Sequence, residues 1–183
     1  MKALPNIDVS WTLFLDRDGV LNEEKEKDYI RNKDEFIFYP NVLEAIERAS
    51  KCFGSIILVT NQRGVGRGLM TDEHLREIHA FMLDEIQHTG GRIDGIYYAP
   101  SIDKDNFLRK PNIGMGLQAQ DDYPNIDFKK SIMVGNNLSD MEFGKRLNMH
   151  TVFVETTSRV KSPADEIDWI YPSLPNFIQS ICT

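Results

Sequence analysis

The stretch TLFLDRDGVLN, residues 12–22, sets the reading of the whole chain. Its first four residues form a mostly apolar run suited to a buried strand. The run leads straight into Asp16, Arg17 and Asp18, and then Gly19. Unpaired charge at the edge of a core is costly unless something compensates it. Either the segment is an ordinary polar turn, made of the Asp and Gly residues that turns favour, or its two aspartates hold something cationic.

Working outward, similar runs recur at 55–60 (SIILVT), 93–99 (IDGIYYA), 131–135 (SIMVG) and 151–155 (TVFVE), with a weaker one at 168–171 (DWIY). They are rich in β-branched and aromatic residues and do not alternate cleanly with polar ones. That pattern suits strands covered on both faces. Helical patterns lie between them. NVLEAIERASK follows Pro40, TDEHLREIHAFMLDEIQHTGG opens on Thr71 and Asp72 and closes on a Gly pair, LSDMEFGKRLN follows the fourth strand, and LPNFIQSIC ends the chain. Strand alternating with helix predicts βαβ units and a parallel sheet.

Composition narrows the function. The chain has 183 residues, a fitting size for one domain, expected to span 1–183, with a real core. A net charge of -7 disfavours nucleic acid or an anionic membrane as the main partner, so an anionic substrate needs a local basic pocket. Neither a signal-peptide core nor a membrane-length apolar run is visible. Cys52 and Cys182 make neither a disulfide framework nor a metal cluster, and are expected to be free thiols in a reducing cytoplasm. The charged run EEKEKD, residues 23–28, reads either as a solvated loop or as the flank of a site entrance.

In an open α/β sheet, ligands sit beyond the carboxyl ends of the strands. Strand one delivers Asp16 and Asp18 there. Strand two delivers Thr60 and Asn61, then QRGVGRG. The loop after strand three delivers Arg109 and Lys110, and strand four delivers Asn136, Asn137 and Asp140. Carboxylate and amide oxygens suit a hard cation such as Mg²⁺. A hydroxyl, backbone N–H groups and a lysine suit a phosphoryl group. Together they suit phosphoryl transfer, where catalysis is mostly positioning and charge stabilisation. Each piece alone has a plainer reading as a turn, a cap or a surface basic pair, and RGVGRG lacks the Walker spacing. Their order and spacing carry the signal.

The set FLDRDGV, VTNQRGVGRG, RKP and MVGNNLSDM resembles the four motifs of the haloacid dehalogenase (HAD) superfamily. Within it, the chain is similar to small phosphatases acting on D-glycero-D-manno-heptose 1,7-bisphosphate and on histidinol phosphate. The resemblance covers roughly residues 10 to 178. It implies a Rossmann-like three-layer α/β sandwich with a mainly parallel sheet and no cap domain. It implies a cytoplasmic, Mg²⁺-dependent sugar phosphatase, expected to be monomeric, working on a small phosphorylated metabolite through an aspartyl-phosphate. By the same resemblance Asp16 is the nucleophile and Asp18 the general acid and base, with a raised pKa. Asp16, the Asp18 carbonyl, Asn136 and Asp140 bind the metal. Thr60, Asn61, Lys110 and Asn137 bind phosphate or substrate. Arg109 grips substrate, and Arg63 or Arg67 grips a second anion. Arg17 points away from the site and has no catalytic role.

Two departures from the family pattern stand out. A zinc loop found in bacterial relatives would use positions 99, 101, 106 and 108, which here are Ala, Ser, Asn and Leu, so no zinc is expected. Asn136 stands where the family pattern has Asp, which leaves the metal site short of one charge. The competing readings are a histidinol-phosphate phosphatase, a non-catalytic sugar-phosphate-binding relative, and a phospho-receiver domain. The last is disfavoured because strand three ends in YYAP, without an acceptor Asp.

Overall fold

The computed structural model describes residues 3–26, 28–160 and 164–182. Lys27, within the charged run, lies outside them. Six strands form one parallel sheet in the order β3-β2-β1-β4-β5-β6: β1 Thr12–Leu15, β2 Ser55–Asn61, β3 Gly95–Ala99, β4 Ser131–Gly135, β5 His150–Val154 and β6 Trp169–Tyr171. The helices are α1 Val42–Cys52, α2 Arg63–Gly66, α3 Asp72–His88, α4 Gly114–Asp122, α5 Leu138–Arg146 and α6 Leu174–Ile181. Two of these were not read from sequence. The turn α2 hides in the glycine-rich RGVG, and α4 carries two glycines and few apolar residues.

Strand alternation sorts the core into two layers. Leu13, Leu15, Ile56, Leu58, Ile132 and Val134 point to one face, where Ile46 of α1, Ile78 and Met82 of α3 and Phe177 of α6 cover them. Phe14, Ile57, Val59 and Met133 point to the other, where Met115 and Ala119 of α4 and Phe143 of α5 cover them. The result is a Rossmann-like three-layer sandwich. The chain winds outward from β1 to β2 and β3, then returns to the far side of β1 with β4. The crevice at this reversal, beyond the carboxyl ends of β1 and β4, is the place where such sheets bind ligands.

One expectation is corrected here. Cys52, at the end of α1, and Cys182, just past α6, are joined in a disulfide with their Cα atoms 6.1 Å apart. The two helices pack side by side on the same face, which brings together cysteines 130 positions apart in sequence. No spacing rule reveals such a meeting. Among the described residues, no helix is long and apolar enough to cross a membrane.

Candidate active site

The strand β1 ends one residue before Asp16, whose N–H still donates to the Val134 carbonyl, so the ladder holds the backbone of Asp16 in place. The segment after it coils tightly. The Arg17 carbonyl accepts from Val20 and Leu21, and the Gly19 N–H donates to Asn22. Gly19 has φ +84°, and a Cβ there would lie 2.0 Å from Asn136 Nδ2, so the turn rests directly on the residue after β4. Gly135 is equally crowded, since a Cβ there would meet the Asp140 carboxylate at 2.3 Å. Both glycines let backbone approach side chains that others could not.

Asp16, Lys110 and Asp140 form the buried centre. The Lys110 ammonium donates to Asp16 Oδ1 at 2.9 Å and to the Val59 carbonyl at 2.7 Å, and lies 2.7 Å from Asp140 Oδ1. All three residues are buried. The other Asp140 oxygen accepts from the Asn137 N–H at the start of α5, 3.1 Å away. The loop carrying Lys110 is locked to β2 by Asn61, whose side chain both accepts from the Lys110 N–H (3.0 Å) and donates to its carbonyl (3.1 Å). The side chain of Asn61 thus positions Lys110. Thr60 is buried at the end of β2, where its hydroxyl accepts from Gln62 at 2.9 Å.

The electrostatics reverse one expectation. Burial pushes the Asp16 carboxyl up to about 7; Lys110 pulls it down, while Asp140 and Asp18 push it up. Burial would also raise Asp18, but the Arg17 charge beside it and hydrogen bonds from Asn22, Gln62 and Arg17 outweigh this and hold it below the usual carboxylate range. The expected raised pKa of Asp18 is therefore corrected, and the cause is Arg17. That side chain does not line the cavity; it is fully buried and makes two contacts of 2.9 Å to Asp18. Its other end meets His79 Nε2 at 3.2 Å. Burial, with the Arg17 charge, pushes His79 down to about 3, so the ring is neutral at physiological pH.

Sequence reading missed this support of Arg17, Asn22, Gln62 and His79. An arginine between two aspartates was the available signal. Replacing Arg17 with Met is expected to cost about 3–5 kcal/mol, because it leaves a mostly buried carboxylate without its cation. Urea denaturation measures it, and a loss within about 1 kcal/mol of zero contradicts the assignment.

A cavity of about 780 Å³ opens over this centre. Asp16, Asp18, Thr60, Asn61, Lys110, Asn137 and Asp140 lie on its floor and wall, and Arg63, Arg67 and Arg109 stand around it. Burial lowers the pKa of Arg109, and the charges of Arg63 and Arg67 lower it further. It also donates to the Ile102 carbonyl, so it braces the loop as well as facing the cavity. That loop is held by side-chain-to-backbone bonds: Ser101 caps Asp103, Asn106 caps Leu108, and Asn112 donates to the carbonyls of Lys104 and Asn106. Glu24, Lys25 and Asp28 of the charged run line the mouth.

Of the expected metal residues, Asn136 is buried behind the wall. Its Nδ2 donates to Glu24 (3.0 Å) and Thr157 (2.9 Å), and its Oδ1 accepts from Asn137 (3.2 Å). No three His, Cys, Asp or Glu side chains among the described residues form a metal cage. The donor chemistry nevertheless fits a hard cation that keeps several waters. Asp16 and Asp140 already converge on one cation, the Lys110 ammonium, which also donates to the Val59 carbonyl.

Known proteins resemble this chain over most of its length. A family model described as polynucleotide kinase 3 phosphatase matches residues 12–150. A probable D-glycero-D-manno-heptose-1,7-bisphosphate 7-phosphatase of Thermoplasma volcanium is 37% identical over 140 residues, 75% of this chain and 94% of its own. The D-glycero-beta-D-manno-heptose-1,7-bisphosphate 7-phosphatase of Escherichia coli K12 is 33% identical over 179 residues, 92% of each chain. Among solved structures, the D,D-heptose 1,7-bisphosphate phosphatase from B. bronchiseptica, complexed with magnesium and phosphate, superposes with a TM-score of 0.81 at 27% identity. The match covers 93% of this chain and 97% of that one.

Proposed function

The chain belongs to the polynucleotide kinase 3 phosphatase family of HAD phosphatases, and from that premise we propose that it is a Mg²⁺-dependent hydrolase of a sugar bisphosphate, with D-glycero-D-manno-heptose 1,7-bisphosphate as the leading substrate. The observation that carries this reading is the Lys110 ammonium held between Asp16 and Asp140, beside a cavity lined by Arg63, Arg67 and Arg109 among its cations. One end of such a cavity suits the phosphoryl group that reacts. The arginines suit a second phosphate, which a fork of guanidinium donors binds better than an ammonium does.

In the proposed reaction an Asp16 oxygen attacks phosphorus, and the bond from phosphorus to the sugar oxygen breaks. The leaving oxygen takes a proton from Asp18. Water then attacks the aspartyl-phosphate and returns a proton to Asp18, releasing phosphate and free Asp16. Arg17 keeps Asp18 ionised in the free enzyme, the form that accepts a proton from water. A dianionic phosphoryl group arriving beside Asp18 opposes Arg17 and favours its protonated form. Lys110, with the Thr60 hydroxyl, stabilises charge on the transferring group. Asp16, the Asp18 carbonyl and Asp140 would hold Mg²⁺, which when bound would neutralise charge on the phosphoryl oxygens, while Asn136, committed to Glu24, Thr157 and Asn137, would stand behind them.

A panel of phosphorylated metabolites, assayed with Mg²⁺, tests the reading. The heptose bisphosphate is expected to give the highest kcat/KM, and a chain that hydrolyses no sugar phosphate overturns it. Arg63→Ala and Arg67→Ala should each raise KM for a bisphosphate about tenfold, the scale of one lost charge-assisted hydrogen bond. The same variants should leave KM for a monophosphate of the same sugar unchanged. Equal effects on both substrates would remove the second-phosphate assignment.

A further inference from the structure

Position 136 carries no charge, yet its side chain is buried and fully committed. Asn136 Nδ2 donates to Glu24 Oε2 at 3.0 Å. Glu24 comes from the loop after β1, 112 residues away in sequence, and stands at the rim of the cavity that holds Asp16, Asp18 and Asp140. Asp18 and Asp140 lie close enough to repel its carboxylate. Three carboxylates that repel one another around one cavity are stabilised by a cation shared between them.

An Asp at 136 would set two carboxylates at the distance of this hydrogen bond, a like-charge contact. Asn turns that clash into a donor–acceptor pair. The pair places the same two chemical groups, one carboxylate and one amide, at this edge of the site, with the charge on the other partner.

We propose that Glu24 supplies the negative charge that position 136 lacks, acting on the Mg²⁺ site through a metal-bound water, and that Asn136 is the positioning residue that turns the Glu24 carboxylate inward. An outer-sphere role agrees with two observations. No three acidic side chains among the described residues close into a cage, and Mg²⁺ keeps several of its waters. Glu24 orients and strengthens those waters as accepting groups around metal sites do. The inference rests on the magnesium-dependent reading of the site.

The test is calorimetric titration of Mg²⁺ into the substrate-free protein, with melting curves in the absence of cation as the check on folding. Glu24→Gln is expected to weaken Mg²⁺ binding about ten- to a hundredfold, the usual scale for loss of a supporting group. The exchanged pair, Glu24→Gln with Asn136→Asp, keeps one carboxylate and one amide and should recover to within about threefold of wild type. Glu24→Gln with wild-type affinity overturns the proposal, as does an exchanged pair no tighter than the single variant. If Glu24→Gln alone does not fold, the exchanged pair decides: affinity near wild type supports the proposal, and affinity a hundredfold weaker overturns it. Wild-type protein that binds no Mg²⁺ sinks the magnesium-dependent reading itself, a result distinct from either failure of the exchange.

Discussion

Replacing Asp16 with Asn is expected to lower kcat by on the order of 10⁴-fold or more, the scale seen when a covalent nucleophile is removed. An amide has nearly the shape of a carboxylate but is a far poorer nucleophile. Folding should survive the change. Asp16 is buried and held against its ionised form by burial, while Lys110 retains Asp140 as a partner. Urea denaturation should therefore show stability no lower than that of wild type. Quenching the reaction within the first turnovers should trap labelled phosphate on the wild-type protein and none on the variant. A kcat within tenfold of wild type would remove Asp16 from the role of nucleophile.

Lys110→Ala is expected to damage both chemistry and stability. Its ammonium is the cation between two buried carboxylates, 2.9 Å from one and 2.7 Å from the other. Without it Asp16 and Asp140 face each other across a low-dielectric gap, and the loss of a buried partner costs about 3–5 kcal/mol. In the proposed reaction the same ammonium stabilises the charge that builds up on the transferring phosphoryl group. Losing one such donor lowers kcat about 10²–10³-fold. Steady-state kinetics separate this from substrate binding, because KM should change much less than kcat. Added Mg²⁺ should recover part of the stability by mass action, since a divalent cation binds only the folded site. A Lys110→Ala protein with unchanged kcat would mean that the ammonium is purely structural.

Much of the site was readable because motif and geometry share one cause. A strand that ends in Asp16 must present it at the sheet edge, and four such ends meet in one crevice when the sheet is parallel. What the motifs did not disclose are the groups behind them. Arg17 looked idle between the two aspartates, yet with Asn22 and Gln62 it holds the Asp18 carboxyl down. Asn61 looked like a phosphate ligand, and its side chain locks the Lys110 loop. Arg109 divides itself between the cavity and the Ile102 carbonyl.

The sequence by itself determined the alternation of strands and helices, the parallel class of the sheet, and which residues stand at its carboxyl edge. These follow from patterns within a few residues, where side-chain period and turn chemistry operate. The tertiary structure alone decided that Asn136 meets Glu24, that His79 meets Arg17, and that Cys52 meets Cys182. The partners in these pairs are 112, 62 and 130 residues apart. Their meeting depends on how the layers pack around the sheet, and so does the burial that raises Asp16 while Arg17 and its neighbours hold Asp18 down.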